Sequence, residues 1–150
     1  MNKIISPFQM KINKIESFEI NQNYPIKEYN DNCVTLGTDY KISNLSTEND
    51  IMSAQINLFV QLIGETENEE TIFNIELNMM GIFEADGKQI DKDRFNSMLE
   101  INGISTLMQL SRAYVTAVTS LSGFTHPINF PMVNVFELIK MKKKDQNKED

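Results

Sequence analysis

The chain has 150 residues, of which 41% are hydrophobic and 23% charged, a balance typical of one folded domain with a sizeable core. A single cysteine, Cys33, excludes an internal disulfide and a cysteine-rich metal site, and it is compatible with a reducing compartment. Residues 140–150 hold five lysines against three acidic residues, so the net charge of −7 leaves −9 on residues 1–139. This acidic body suits a basic partner and disfavours nucleic acid, whose binding depends on lysine and arginine contacts to phosphates.

The first residues, MNKIISPFQMKINK, contain only a two-residue apolar run before polar residues follow. That pattern does not predict a signal peptide, and no apolar run in the chain reaches membrane-spanning length. We therefore expect a cytoplasmic protein that is not inserted in a membrane.

Apolar residues at alternate positions predict four strands in the first half of the chain. The first runs from Phe8 to Ile20 with an irregularity near residues 13–16, and the second, from Cys33 to Leu45, follows a turn-rich loop. The third carries apolar residues at every second position from Ala54 to Leu62, and the fourth runs from Thr71 to about Phe83. Because the links between them are short, they favour an antiparallel meander.

After Gly87 the pattern changes to the helical period, and the class is α+β: a four-stranded antiparallel sheet, then a short helix, a long helix and a C-terminal helix. The pair Asn102-Gly103 predicts a stop between the first two helices. An apolar extended crossover follows from Phe124 to Met132, and a final short helix begins near Val135. We predict a single domain over residues 1–139 and a charged flexible tail over residues 140–150.

The long helix, residues 104–122, is the most unusual element. Its large apolar residues recur with the period of one helical face, from Ile104 to Val118, but the opposite side has small neutral residues in place of charges. Small residues allow a second backbone to approach closely, so we expect a helix from another copy of the protein there. The residues predicted at this contact are Ser111, Ala113, Ala117 and Ser120. The alternative is an ordinary core helix of one domain.

The order of these elements resembles that of the protein-export chaperone family SecB, and short motifs extend the resemblance over about residues 8–139. Phe8-Gln9, Ser17-Phe18-Glu19 and Gly81-Ile82-Phe83 resemble the first and fourth strands of the family. Arg112 with Thr116, Gly123-Phe124 and the stretch 128–134 resemble its helix and its crossover. The chain departs from the family at Gln109-Leu110, Met132 and Val135, and in its basic tail, and these differences leave the identity of the partner open.

The resemblance implies a dimer of dimers that holds unfolded or precursor chains without ATP, and that in export passes them to the motor SecA. Glu19 and Glu76 match acidic positions of the sheet face that such a partner would meet; the alternative is that they only keep the face soluble. A SecB-like chaperone of an antitoxin is the other role that the resemblance allows. A crossover rich in Met and Phe fits a groove for unfolded segments, although each of its residues could instead cap the domain's own core. The candidate groove residues are Phe83, Phe124, Ile128, Phe130, Met132, Val133 and Phe136.

An enzyme or a small-ligand carrier is the competing class. General acid–base catalysis needs a titratable group with a positioned partner, and the single histidine, His126, has no carboxylate near it in sequence until Glu137. Neither a phosphate-binding glycine loop nor a metal-ligand spacing occurs, and Cys33 has no activating neighbour. We therefore expect no catalysis and no cofactor. A stable oligomer that suppresses aggregation would favour the chaperone, and a copurifying small molecule would favour the carrier.

Overall fold

A computed structural model describes residues 4–23, 33–124, 128 and 130–149. The predicted loop at residues 21–32 and His126 lie mostly or wholly outside this part of the chain. The elements, in chain order, are β1 (Phe8–Gln22), β2 (Val34–Glu48), β3 (Ile51–Glu65), β4 (Thr71–Asp86), α1 (Lys92–Met98), a π-helical turn (Leu99–Gly103), α2 (Ile104–Leu121) and α3 (Val135–Gln146).

The described strands form one antiparallel sheet with the order β1-β4-β3-β2, which confirms the predicted α+β architecture. All neighbouring pairs are antiparallel, but the predicted meander holds only for β2, β3 and β4, because β1 lies beside β4 and not beside β2. A register shift between Ile15 and Ser17 confirms the predicted irregularity in β1, and a second shift lies outside the predicted range, between Met10 and Ile12. Strand β1 is an edge strand of the described sheet and pairs with β4 over its whole length.

One face of the sheet is covered by α2, and the other, which we call the outer face, carries polar residues. The apolar positions of β3 and β4 that the alternation predicted are buried on the covered side, among them Leu58 and Leu77. On α2, Ile104, Leu107, Met108 and Val115 are buried, as the helical period predicted. Burial of a large apolar side chain stabilises the fold by about 1.5–3 kcal/mol, so this layer is the main source of stability.

The predicted helix stop at Gly103 is wrong. Gly103 has helical dihedral angles (φ −64°, ψ −51°), and the chain continues through the π-helical turn directly into α2. A Cβ atom at this position would lie 2.6 Å from Cδ1 of Ile56, which is too close for real side chains. A larger residue would have to displace the end of the buried Ile56 side chain, so glycine suits the close approach of the turn to the sheet. The helix stop is at Gly123 (φ +80°), where α2 ends as predicted.

Helix α3 is longer than its sequence pattern predicted, since it runs from Val135 to Gln146. Asn134 caps its first turn by accepting a hydrogen bond from the Glu137 N–H at 3.3 Å. Residues 140–146, assigned to the charged tail on sequence grounds, belong to this helix. The division into a body at 1–139 and a flexible tail stays a prediction, but the C-terminal lysines begin on an ordered helix.

Candidate functional site

The outer face of the sheet carries two rows of side chains that cross all four strands. The strand registers align Glu19, Glu76, Gln61 and Gly37 in the first row. The second row, two residues away, aligns Ser17, Asn78, Phe59 and Asp39. The acidic residues that the sequence analysis chose as a partner face therefore lie side by side, and the sheet extends that face to a third carboxylate at Asp39.

Amide side chains hold the two carboxylates of the first row in place. Asn21 Nδ2 donates to Glu19 Oε1 at 2.9 Å, and Gln61 Nε2 donates to Glu76 Oε1 at 3.2 Å. Both glutamates are exposed. A hydrogen bond between side-chain amides also links β3 to β4, since Asn57 Nδ2 donates to Asn78 Oδ1 at 3.0 Å. The result is a hydrogen-bonded polar surface that carries negative charge.

A shallow depression of about 430 Å³ lies between the two rows. Its lining includes Ser17, Gly37, Asp39, Phe59, Gln61, Glu76 and Asn78. Gly37 leaves room there, because even a Cβ atom at this position would stay 3.9 Å from Gln61. Phe59 forms an aromatic wall of the depression and is 40% exposed. It is unusual on this face, where the other residues of the two rows are polar or glycine. Carboxylates beside an exposed aromatic ring can bind the cation and the apolar stem of a basic side chain.

The exposed side of α2 is neutral, and it includes most of the residues predicted at a helix contact. Ala113, Ala117 and Ser120 are exposed in the single chain, and the Ser120 hydroxyl donates to the Ala117 carbonyl at 2.6 Å. Ser111 does not belong to this side: it is fully buried, and its hydroxyl lies 3.6 Å from the Met79 sulfur. Ser111 lies on the side of α2 that packs on the sheet, and not on the exposed side where a second helix was predicted.

The candidate groove residues divide between core and surface. Phe83, Ile128 and Phe130 are at most 3% exposed and belong to the chain's own core, which was the alternative left open for them. Phe124 and Val133 are partly buried against that core, and the Phe124 ring meets Phe73 edge to face at 5.3 Å. Met132 and Phe136, by contrast, are 85% and 61% exposed. Only these last two residues of the set have large apolar side chains that are mostly exposed.

Polar groups of α2 fasten the crossover to the helix. The Thr119 hydroxyl, fully buried, accepts a hydrogen bond from the Ile128 N–H at 3.1 Å and donates to the Val115 carbonyl at 2.8 Å. Arg112 Nη2 donates to the Pro131 carbonyl at 3.1 Å, and its guanidinium lies 5.6 Å from the centre of the Phe130 ring. In the sequence, Arg112 stood out only as part of the resemblance to the SecB helix. Its role in the structure is to hold the crossover.

Helix α3 rests against the edge of β2 through charged contacts that the sequence analysis missed. Lys142 Nζ lies 2.8 Å from Asp39 Oδ1 and 5.7 Å from the centre of the Tyr40 ring. Lys143 Nζ lies 3.5 Å from Glu100 Oε2 on the π-helical turn. Burial raises the pKa of Tyr40 to about 12, and the negative charges of Glu100 and Asp39 contribute to the rise. The only signal in sequence was a basic segment following an acidic body.

An apolar cleft of about 240 Å³ separates α3 from the π-helical turn. Ile101, Phe136 and Ile139 line it, and Lys140 and Lys143 lie at its sides. Ile101 is 38% exposed, so the turn adds apolar surface next to Phe136. Met132, four residues before Phe136 in the chain, is exposed as well. We call Ile101, Met132 and Phe136 the apolar surface.

The described residues contain no group of three or more His, Cys, Asp and Glu side chains placed to hold a metal ion. Within the same part of the chain, no helix has the length and apolar character needed to cross a membrane.

No family model matches the chain, and no curated protein matches it in sequence. Among solved structures, it is similar to the SecB-like chaperone Rv1957 of Mycobacterium tuberculosis in complex with a ChAD peptide from the Rv1956 HigA1 antitoxin. That match has a TM-score of 0.56 and 8% sequence identity, and it covers 85% of this chain and 91% of the other. A Streptococcus agalactiae protein of unknown function matches with a TM-score of 0.48 and 7% identity, over 83% of this chain and 97% of that one. The order of strands and helices, together with the match to Rv1957, shows that this chain has a SecB-like fold.

Proposed function

We propose that this protein is a holdase chaperone, which binds unfolded or partly folded polypeptides without nucleotide and without catalysing a reaction. The observation that carries the proposal is the apolar surface on a SecB-like fold: Met132 and Phe136 are largely exposed on the crossover and α3, where segments of a client chain can reach them. Large apolar side chains grouped on a surface are typical of protein interaction sites. The peptide complex of Rv1957 supports a polypeptide as the ligand class.

Two biological roles are candidates, and they differ in the protein that is bound. A SecA-like export motor is supported by the acidic outer face, where Glu19 and Glu76 suit a basic module. An antitoxin as the client is supported by the peptide bound to Rv1957. We propose the export role first, in the cytoplasm, because the acidic face is a feature of this chain itself. Affinity purification with mass-spectrometric identification of the bound proteins distinguishes the two roles.

The proposal includes self-association. The exposed side of α2 has Ala113, Thr116, Ala117 and Ser120 at the surface, without a charged residue among them. A neutral face of small residues is suited to close helix packing, so we propose that α2 pairs with α2 of a second copy in a dimer or a dimer of dimers.

The test is suppression of aggregation of two unrelated denatured proteins in the absence of nucleotide. The wild type should suppress both, and the double change Met132→Ser and Phe136→Ser should lower its affinity for unfolded chains. Each lost apolar contact is worth about 1–3 kcal/mol at most. The matched control is Leu45→Ser, which removes an apolar side chain that is 54% exposed on β2, far along the chain from the apolar surface. Equal activity of the double variant and the wild type would contradict the proposed site, and inactivity of the wild type would contradict the function.

A further inference from the structure

Asp39 belongs to two surfaces at once. It lines the depression on the outer face, and its carboxylate also holds α3 through Lys142 at 2.8 Å. The carboxylate is 60% exposed, whereas Lys142 is only 29% exposed, the least of the lysines in the described ion pairs. One acidic group therefore connects the outer face with the helix that carries Phe136.

The contacts of Asp39 leave part of its carboxylate available. Lys142 Nζ and the Tyr40 N–H both approach Oδ1, each at 2.8 Å. Oδ2 makes no hydrogen bond or ion pair with the described part of the chain. A second cation can therefore reach the carboxylate from the depression, next to the ammonium group of Lys142.

The depression favours a cation. Glu76 and Asp39 lie at opposite corners of it, Phe59 forms an exposed wall, and residues 1–139 carry a charge of −9. An ammonium or guanidinium group can pair with one of these carboxylates while its carbon stem packs on the ring. The occupant that fits is a lysine or arginine side chain of a protein partner.

Helix α3 is held by both apolar and ionic contacts. Ile139 is buried, and Val135 and Leu138 are partly buried against the core. The ionic contacts include the Lys142–Asp39 pair and the Lys143–Glu100 pair, in which Lys143 is 64% exposed. Two cations sharing one carboxylate repel each other, so a cation that arrives at Asp39 weakens the attraction of Lys142. Coupling between two sites is reciprocal, so α3 in its docked position also weakens binding of that cation.

We propose that a basic side chain of a partner binds in the depression beside Phe59 and competes with Lys142 for Asp39, so that partner binding loosens α3 and the apolar surface that α3 helps to form. This inference deepens the proposed function and rests on it for its biological meaning, since it couples arrival of the partner to release of a client. The coupling itself requires no client and is measured separately.

The probe is an acetylated tetra-arginine peptide with a fluorescent label, whose binding to the full chain is followed by anisotropy at low ionic strength. Asp39→Asn should weaken binding. Lys142→Gln should strengthen it by about two- to fivefold, the range expected when one exposed ion pair no longer competes. The matched control is Lys143→Gln, which changes the net charge equally but pairs with Glu100 on the π-helical turn.

Amide hydrogen exchange of residues 135–146 provides the second measurement. Addition of the probe should accelerate exchange in α3 of the wild type and leave it unchanged in Asp39→Asn. Equal probe affinities of Lys142→Gln and Lys143→Gln would overturn the proposal, as would an unchanged exchange rate in the probe-saturated wild type. A protein that suppresses no aggregation can still give the expected result in both measurements, so failure of the holdase function and failure of this coupling are distinguishable.

Discussion

Glu19 and Glu76 lie directly opposite each other on β1 and β4, so two exposed carboxylates occupy one cross-strand pair of the outer face. Like charges that face each other across a strand pair destabilise a sheet. The effect is similar in size to the stabilisation by a favourable pair, which is roughly 0.2–1 kcal/mol. Gln61 and Asn21 each donate a hydrogen bond to one of the carboxylates but do not neutralise them. A pair that lowers stability and remains exposed is suited to a partner that supplies the missing positive charge.

We predict that Glu76→Gln raises the free energy of unfolding by about 0.2–1 kcal/mol, because it removes the repulsion and keeps an acceptor oxygen for Gln61. The same change should weaken binding of a basic partner, and added salt should weaken the wild-type contact. Urea denaturation measures the first effect. Glu84→Gln is the control, because Glu84 is opposite Gln9 and has no like charge across the strand pair. A Glu76→Gln protein less stable than the wild type would contradict this account.

Single changes at Phe130 and Met132 should separate core from surface. Phe130 is 3% exposed and Met132 is 85% exposed, although they are only two residues apart. Phe130→Ser should cost about 3–5 kcal/mol of stability, through a cavity and a buried hydroxyl, and lower the melting temperature by roughly 10 °C or more. Met132→Ser should change stability by no more than about 0.5 kcal/mol. Thermal melts decide the matter, and equal destabilisation by the two changes would place Met132 in a buried contact.

Self-association should depend on Ala117. The side chain is exposed in the single chain, in the middle of the neutral side of α2. Ala117→Glu would bury an unpaired charge in a helix contact and should shift the protein to a smaller species, whereas the uncharged Ala117→Ser should not. Light scattering coupled to size-exclusion chromatography gives the masses. A monomeric wild type at micromolar concentration would remove α2 from any interface.

Stability should fall at alkaline pH because of Tyr40. Its pKa is raised from 10.0 to about 12 in the folded state, first by burial and then by Glu100 and Asp39. A raised pKa means that the folded state retains the proton longer than the unfolded state. The stabilisation is therefore complete below pH 10 and is lost as the pH rises through 10 toward 12, by up to about 2 kcal/mol.

Tyr40→Phe should abolish this part of the pH dependence, while Tyr114→Phe, at a half-buried tyrosine of α2, serves as the control. The absorbance of tyrosinate, as a difference between wild type and Tyr40→Phe, reports the titration directly. A Tyr40 midpoint at the ordinary value of about 10 would contradict this prediction.

Much of the fold could be predicted because its signals are local. Alternation along β3 and β4 reflects the two faces of a strand, and the spacing of Ile104, Leu107 and Met108 reflects one face of a helix, so nearest neighbours in sequence suffice to identify both. The end of α2 was predictable for the same reason, since Gly123 has the positive φ that a helix stop requires. The resemblance to the SecB family selected Glu19 and Glu76 as acidic residues of the sheet face, although it did not place them opposite each other.

The remaining features depend on packing between segments that are distant in sequence. The local sequence at Gly103 predicts a helix stop, but in the structure this glycine lies against Ile56, where the helical segment packs on the sheet. Phe130 and Met132 have equally apolar side chains, and only the direction of the crossover on α2 decides which of them is covered. The pair of Lys142 with Asp39 spans 103 residues of chain. Sequence determined the charges of these two residues, whereas the tertiary structure alone brings them within 2.8 Å, because the path of the chain between them is set by the whole core.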